Sequence, residues 1–134
     1  MTGANEVTAW PARELESIGA AEEIGLASRR PDGSLRPYVT MWVVRAGDGL
    51  YVRSAYGPGN PWYRRAVASG TGRIRAAGTE RDVAFTPAAP EAQDRIDVAY
   101  HAKYDRHGPR IVGSVTGPGS HAVTVRLVPQ PGGE

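Results

Sequence analysis

Residues 57–65, Gly-Pro-Gly-Asn-Pro-Trp-Tyr-Arg-Arg, combine residue types that begin a helix with residue types that bind anions. Asn60 can cap the first free backbone N–H groups, and Pro61 suits the first helical position because its missing N–H would be unpaired there. The N-terminus of a helix attracts anions. Arg64 and Arg65 follow in the next turn, with planar guanidinium groups that match phosphate and carboxylate. The segment therefore predicts a helix start that binds an anion.

Arginine dominates the basic residues of the chain, since 15 of the 16 are arginine and Lys103 is the single lysine. Arginine suits phosphate and carboxylate ligands, but a coding bias towards Arg, Ala, Gly and Pro explains the excess equally well, and both explanations stay open. The net charge is only +2, and the arginines are dispersed along the chain. We therefore expect no nucleic-acid partner.

Several classes of function are disfavoured by what the sequence lacks. Cysteine is absent, which removes disulfides and thiolate metal sites, and His101, His107 and His121 do not have the spacing of a metal-binding pair. We expect no metal site. The motifs of P-loop and Rossmann nucleotide sites are missing too. With neither a signal-like N-terminus nor a membrane-spanning apolar run, the expected location is cytoplasmic, without membrane contact.

The pattern of apolar and polar residues predicts six β-strands and three helices. The strands are expected at 23–28, 38–45, 50–55, 72–77, 80–87 and 121–128, and the helices at 11–21, 61–69 and 90–104. Gly70 would end the second helix. A segment rich in Gly and Pro, around 108–120, leads into the last strand.

This order of elements predicts one α+β domain, mainly β, over residues 1–134, with flexible tails at 1–9 and 129–134. Short turns join the strands into antiparallel hairpins. Six short strands are too few for a sandwich, but they can close or nearly close into a barrel. We expect a small barrel of about six antiparallel strands with two to three helices.

Three stretches of the chain resemble the FMN-binding split β-barrel superfamily. They are RRPDGSLRPYVTMWVVRAGDGLYVRSAYG at 29–57, NPWYRR at 60–65 and GRIRAAGTERDVAF at 72–85. Their succession of turns, strands and a Pro-Trp helix start is similar to the deazaflavin-dependent nitroreductases. With AYHAKYDRHG at 99–108 added, the chain resembles still more closely a bacterial family known as domain of unknown function 2255.

The resemblance implies a split β-barrel, usually a homodimer, that holds a flavin or deazaflavin at the edge of the barrel. The implied function is a nitroreductase-like oxidoreductase that transfers hydride from deazaflavin coenzyme F420 or FMN to an unidentified organic acceptor. It also implies which residues approach the cofactor. These are Arg30, Ser34, Arg36, Trp42, Ser54, Pro61, Trp62, Arg64 and Arg65.

The first of these loops departs from the nitroreductase pattern. Those relatives carry Gly-Arg/Lys-x-Ser-Gly, whereas this chain has Arg-Arg-Pro-Asp-Gly-Ser at 29–34. Asp32 brings a negative charge to the place of a phosphate, and Pro31 lacks a backbone donor. The departure supports one alternative, a cofactor-free enzyme or binder that uses the barrel cleft alone. A second alternative is a non-catalytic protein of the same fold that holds a cofactor or another small ligand.

Several aromatic and basic residues admit two interpretations. Trp62 is equally suited to contact a cofactor ring or to dock its helix on the core, while Trp42, in an apolar strand, is expected in the core. Tyr38, Arg53 and Tyr56 lie near strand ends, where functional residues gather. Solvation at the surface explains these three as well, and for Arg53 it is slightly favoured.

Lys103 and Tyr104 are expected at the end of the third helix. A lysine there offsets the negative end of the helix dipole. We expect this structural role for Lys103 unless the fold brings it into a cleft.

Overall fold

The computed structural model describes residues 9–130, and within them one antiparallel seven-stranded sheet curls into a half-barrel flanked by five α-helices. Of the tails expected at 1–9 and 129–134, only residues 9, 129 and 130 fall in this range. The strands are β1 (Ile24–Ser28), β2 (Val39–Met41), β3 (Val44–Ala46), β4 (Gly49–Arg53), β5 (Thr71–Ala76), β6 (Thr79–Pro87) and β7 (Thr124–Pro129). The helices are α1 (Ala12–Ala20), α2 (Pro61–Ser69), α3 (Gln93–Tyr104), α4 (Pro109–Gly113) and α5 (Pro118–His121).

The order of strands in the sheet shows which strands form the edges of the half-barrel. It is β2-β1-β5-β6-β7-β4-β3, with every neighbouring pair antiparallel. β2 and β3 form the two edges, yet only Trp42 and Val43 separate them in the chain. The chain thus passes directly from one edge to the other, and the predicted α+β barrel is confirmed. The single strand predicted at 38–45 is wrong, which is why there are seven strands and not six.

Side chains from the end of α3 take the place of a strand partner where this strand is divided. The Val43 N–H donates to the Tyr104 hydroxyl (3.2 Å), and the Val43 carbonyl accepts from Lys103 Nζ (2.7 Å). Val43 is fully buried, and a buried backbone group needs a partner. The division therefore depends on residues about sixty positions away in the chain.

Two groups of buried apolar side chains form the interior. One lies between the sheet, α1 and α2, and the other lies under α3. Burial of each large apolar side chain contributes about 1.5–3 kcal/mol. The first group includes Leu26, Val52, Ile74, Val83 and Leu127, and the second includes Val44, Tyr51, Ile96, Tyr100 and Tyr104.

Close pairing of β1 and β5 sets the position of the loop that follows β1. A Cβ added at Gly72 would lie 2.1 Å from the Ala27 carbonyl oxygen, so only glycine fits between the strands. The pairing continues past the strand ends, where the Arg29 N–H donates to the Thr71 carbonyl (3.1 Å). The residues after Ser28 are thereby held beside the C-terminal end of α2.

The observed helices agree in part with those predicted from the sequence. α2 spans the residues predicted for it, and Gly70 ends it with φ +77° and an N–H bond to the Ala66 carbonyl (2.8 Å). α4 and α5 were not predicted, and each begins with a proline that follows a glycine of positive φ, Gly108 or Gly117. No helix within residues 9–130 is long and apolar enough to cross a membrane.

Candidate functional site

A cleft of about 950 Å³ lies between the loop after β1 and one side of α2. The loop supplies one wall, and the helix with the start of β5 supplies the other. Five of the lining residues are arginines, from both walls. The lining comprises Arg29, Arg30, Pro31, Gly33, Arg36, Pro61, Arg64, Arg65, Ala68, Ser69 and Thr71. We call it the arginine cleft.

Most of the predicted binding residues meet at this cleft. Arg30, Arg36, Pro61, Arg64 and Arg65 line it, although the loop and the helix are separated by more than twenty residues in the chain. The sequence predicted these five as binding residues, but it did not predict Arg29 or Thr71, which also line the cleft.

Three other predicted residues lie elsewhere. Ser34 is exposed in the loop but does not line the cleft. Ser54 is fully buried, and its hydroxyl donates to the Gly57 carbonyl (2.5 Å). Trp62 is partly buried against the interior of the barrel, in an edge-to-face contact with Tyr63 at 5.9 Å. This placement favours the docking interpretation of Trp62.

The expected cap of α2 is not formed by the side chain of Asn60. Its amide donates to Ser54 Oγ (3.0 Å) and to the Ala55 carbonyl (2.7 Å), so the side chain braces the loop before the helix. The Asn60 carbonyl still accepts the first helical bonds, from the N–H groups of Tyr63 and Arg64 (both 3.1 Å). The capping prediction is therefore wrong for the side chain and correct for the position of the helix start.

The acidic residue of the altered loop does not itself line the cleft, although its neighbours Pro31 and Gly33 do. Asp32 Oδ1 accepts from the Ser34 N–H (3.0 Å) and the Ser34 hydroxyl (2.7 Å), and Asp32 is not among the lining residues. These two hydrogen bonds lower the pKa of the Asp32 carboxyl below its usual value. Arg30 braces the same loop, because its guanidinium donates to the Leu35 carbonyl (2.9 Å). The loop is therefore held in shape by its own side chains.

Most arginines of the cleft are not held in ion pairs within residues 9–130. Arg29 pairs with Asp82 (3.2 Å), but no ion pair among residues 9–130 involves Arg30, Arg36, Arg64 or Arg65. Arg36 Nε is moreover buried with no hydrogen-bond partner. A buried donor without an acceptor is costly, so this atom calls for an anionic or polar ligand.

A second arginine site, inside the protein, was not anticipated. Arg53 is buried, not solvated at the surface as slightly favoured from the sequence. Its guanidinium donates to Thr124 Oγ1 (2.9 Å), the Val115 carbonyl (2.8 Å) and Gln93 Oε1 (2.8 Å), and it pairs with Asp97. Only the tertiary structure brings these partners together, since they come from three different segments. We call this group the Arg53 network.

The acidic member of the Arg53 network is also bound by a histidine. His121 Nε2 lies 3.1 Å from Asp97 Oδ2, and a carboxylate oxygen of Asp94 adds a third possible ligand atom, so that the three atoms lie within 4.8 Å of one another. Burial raises the pKa of Asp97, but hydrogen bonds from Arg53 and His121 outweigh it and lower the pKa overall. A cation at Asp97 would have to compete with the guanidinium already bound there.

Lys103 and Tyr104 lie outside the arginine cleft and support the barrel. Lys103 Nζ donates to the carbonyls of Gly19 (2.8 Å), Ala21 (2.6 Å) and Val43 (2.7 Å). Burial lowers the pKa of Lys103 to about 8 and raises that of Tyr104 to about 12. Lys103 does not line the arginine cleft, but its hydrogen bonds go to carbonyls at the end of α1 and at Val43, and not to the end of its own helix as expected.

Trp42 belongs to the same supporting region. Its ring stacks on Tyr104 with centroids 4.0 Å apart and planes within 5°. It packs partly buried against the apolar group under α3, and it does not line the cleft. The expectation that Trp42 is a core residue, not a ligand contact, fits this placement.

The family of the chain follows from a comparison of its sequence with known protein families. Residues 14–127 match the bacterial family described as "Uncharacterized protein conserved in bacteria (DUF2255)". The chain belongs to the DUF2255 family. No curated protein matches the sequence. The family recognised from the loop, strand and helix-start residues is thus confirmed over most of the chain.

Solved structures similar to this DUF2255 protein are split barrels. A putative pyridoxamine 5'-phosphate oxidase from Listeria innocua superposes with TM-score 0.60 at 14% identity, covering 88% of this chain and 91% of its own. An FAD-binding protein from Mesorhizobium loti gives 0.55 at 14%, covering 91% of each chain. A protein described as F420 reductase gives 0.53 at 19%, covering 92% and 97%. At sequence identities this low, the structural similarity shows only that the fold is shared.

Proposed function

We propose that this DUF2255 protein is a split-barrel oxidoreductase that binds F420 or FMN, with the anionic end of the cofactor in the arginine cleft. The observation that carries the proposal is the meeting of Arg36, Arg64 and Arg65 at one cleft without a carboxylate partner among residues 9–130. The similarity to proteins described as FAD-binding and as F420 reductase supports the choice of ligand.

The residues of the cleft fit an anionic cofactor. Guanidinium groups bind phosphate through paired, charge-assisted hydrogen bonds, and the buried Arg36 Nε needs an acceptor that a phosphate oxygen would provide. Asp32, one departure from the nitroreductase loop, accepts hydrogen bonds from Ser34 and does not line the cleft.

The protein chain itself needs to supply little more than binding and orientation of the cofactor. A bound flavin or deazaflavin supplies the hydride transfer to the organic acceptor. None of the eleven lining residues is Asp, Glu, His, Cys, Lys or Tyr. The cleft therefore binds and orients by charge, and it offers no side chain for general acid or base catalysis near neutral pH.

A second candidate is a non-catalytic protein that holds or delivers the cofactor, because a cleft that binds and orients by charge serves either role. The two candidates share a binding site and differ in what the bound cofactor does. Oxidation of the reduced cofactor that depends on an added organic acceptor is expected only for the oxidoreductase. Saturable binding without such turnover, across an acceptor screen, would favour the carrier.

The direct test is equilibrium binding of cofactor-stripped protein to F420, FMN and FAD, followed by fluorescence. Arg64→Ala and Arg36→Ala are each expected to weaken binding of the preferred cofactor about tenfold, because each removes a charge-assisted hydrogen bond. Arg13→Ala is the matched control, since Arg13 is exposed on α1 and outside the cleft. It is expected to bind as the wild type does.

The outcomes of this test separate the candidates. Unchanged affinity in both Arg64→Ala and Arg36→Ala would remove the arginine cleft as the cofactor site. If none of the three cofactors binds the wild type, the cofactor-free alternative on the same fold is favoured instead.

The proposal includes a homodimer, as the split-barrel resemblance implies. Sedimentation velocity is expected to show one species of twice the chain mass. A single species at the mass of one chain would contradict this part of the proposal and leave the cofactor assignment to the binding test.

A further inference from the structure

One wall of the arginine cleft is tied to the sheet by a residue that lies outside the cleft. Arg29 Nη2 donates to Asp82 Oδ1 (3.2 Å), and Arg29 Nη1 donates to the Gly33 carbonyl (2.8 Å). Arg29 and Gly33 line the cleft, whereas Asp82 lies on β6 and does not. The two η nitrogens of one guanidinium therefore link the cleft loop, residues 29–36, to the sheet.

This link is the one side-chain hydrogen bond within residues 9–130 that joins the cleft loop to another segment. All other side-chain hydrogen bonds of the loop stay inside it. Main-chain hydrogen bonds hold its two ends, from the Arg29 N–H to the Thr71 carbonyl (3.1 Å) and from the Arg36 N–H to the Ser28 carbonyl (2.9 Å). The middle of the loop, at Gly33, is therefore connected to the sheet through the guanidinium of Arg29.

Asp82 is itself fixed on the sheet from both sides. It is the cross-strand partner of Arg73 on β5, and its Oδ1 also accepts from Arg73 Nε (2.8 Å). On the β7 side, the Asp82 carbonyl accepts from the Gln130 N–H (2.9 Å). One carboxylate oxygen thus joins β6, β5 and the cleft loop. Because Arg73 does not line the cleft, this anchoring uses none of the surface that a ligand would contact.

The pair with Asp82 also gives Arg29 a different part from the other arginines of the cleft, since its charge already faces a carboxylate. Both side chains of the pair are partly exposed, and such ion pairs contribute little to the stability of a fold. The pair can matter more for binding. A loop that is held in its binding conformation before the ligand arrives loses less conformational entropy on binding.

We propose that Asp82 is a positioning residue of the arginine cleft, which holds Arg29 and Gly33 where the cleft loop binds the anionic end of the ligand. This role rests on the anion binding of the proposed function, and it adds a residue outside the cleft on which the affinity depends. Asp82 acts through Arg29, the one lining residue within residues 9–130 with which it forms a side-chain hydrogen bond.

Two substitutions of Asp82 separate its position from its charge. Asp82→Ala removes both the charge and the acceptor. Asp82→Asn removes the charge but keeps an oxygen, and since Arg29 and Arg73 donate to the same oxygen of Asp82, the amide oxygen can accept from both. If Asp82 served only to reduce the positive charge at the cleft, both variants would bind an anion more tightly. Asp48→Ala is the matched control, because it removes an exposed carboxylate from the turn between β3 and β4.

The experiment measures binding of inorganic pyrophosphate at low ionic strength by isothermal titration calorimetry, since this anion has the charge but no ring. Asp82→Ala is expected to weaken binding about fivefold, and Asp82→Asn and Asp48→Ala are expected to stay within about twofold of the wild type. Thermal unfolding checks that each variant is folded. Asp82→Val, which also lacks the acceptor and favours a strand, is measured in parallel in case Asp82→Ala does not fold.

A double-mutant cycle tests whether Asp82 acts through Arg29. Arg29→Met removes both hydrogen bonds of the link and is expected to weaken pyrophosphate binding by itself. In the Arg29→Met protein, Asp82→Ala is expected to change the affinity by less than about twofold, because the link is already lost. An undiminished loss there would overturn the positioning role, since Asp82 would then act on the sheet and not through Arg29.

The other outcomes are equally decisive. Unchanged or tighter pyrophosphate binding in Asp82→Ala would overturn the role, and so would an equal loss in Asp82→Asn, which keeps the acceptor. If the wild type does not bind pyrophosphate, the role falls together with the assignment of the anionic end to the cleft. If pyrophosphate binds with the expected pattern but no flavin or deazaflavin binds, the positioning role stands and the cofactor proposal falls.

Discussion

The arginine cleft and the Arg53 network use the same side chain in opposite ways. Inside the protein, the five N–H donors of Arg53 meet Thr124, Asp97, the Val115 carbonyl and two oxygens of Gln93. In the cleft, Arg36, Arg64 and Arg65 form no ion pair within residues 9–130, and Arg36 Nε is buried without a partner. An arginine whose donors are all used stabilises the fold. Donors left open at a cleft are available to a ligand.

Removing the buried arginine tests this difference most strongly. Arg53→Met is expected to lower the free energy of unfolding by about 3 kcal/mol, because Asp97 and the other acceptors would lose their partner. Arg64→Ala is the matched cleft variant and is expected to stay within about 0.5 kcal/mol of the wild type. Urea denaturation measures both. Equal stabilities of the two variants would abolish the distinction between the regions.

Lowering the pH tests the contribution of Asp97 to the Arg53 network. Burial raises the pKa of this carboxyl, but the hydrogen bonds from Arg53 and His121 lower it overall in the folded protein. A carboxyl with a lowered folded-state pKa contributes stability above its unfolded pKa of about 3.9, and the contribution is lost as the pH falls through the folded pKa. Asp97→Asn is therefore expected to be about 2 kcal/mol less stable than the wild type at pH 6, with a smaller difference at pH 3.

Urea midpoints of the wild type and Asp97→Asn at the two pH values measure this effect. Because other carboxyls titrate in both proteins, the quantity of interest is the difference between them. A difference that stays constant from pH 6 to pH 3 would mean that Asp97 does not stabilise Arg53 as an anion.

The smallest expected effect concerns the bracing of the cleft loop. Ser34 contacts both Asp32 (2.7 Å) and the Arg30 guanidinium (3.3 Å). Ser34→Ala is expected to weaken FMN binding only about twofold, because these exposed contacts are screened by water. The titration used for Arg64→Ala measures it. A loss as large as that of Arg64→Ala would show that the loop shape matters as much as the charge.

Features set by neighbouring residues were predictable from the sequence. α2 runs from Pro61 to Ser69 and ends at Gly70 because proline favours the first helical position and glycine the left-handed one. The hairpins followed from turn residues, and five of the eleven residues that line the cleft followed from the helix start and the family resemblance. The hydrogen-bond partners of the Asn60 side chain were not predictable, since its amide donates to Ser54 Oγ and the Ala55 carbonyl and does not cap the helix.

By itself, the sequence determined the α+β class, the local strands and helices, and the two arginine-bearing segments, because these depend on residues that are near each other in the chain. Only the tertiary structure decided that the strand at 38–45 divides at Val43, since its backbone partners come from the end of α3. The tertiary structure likewise decided which arginines form no ion pair within residues 9–130, because burial and pairing depend on segments brought together from across the chain. Arg53 is buried in the interior, whereas the cleft is lined by Arg36, Arg64 and Arg65.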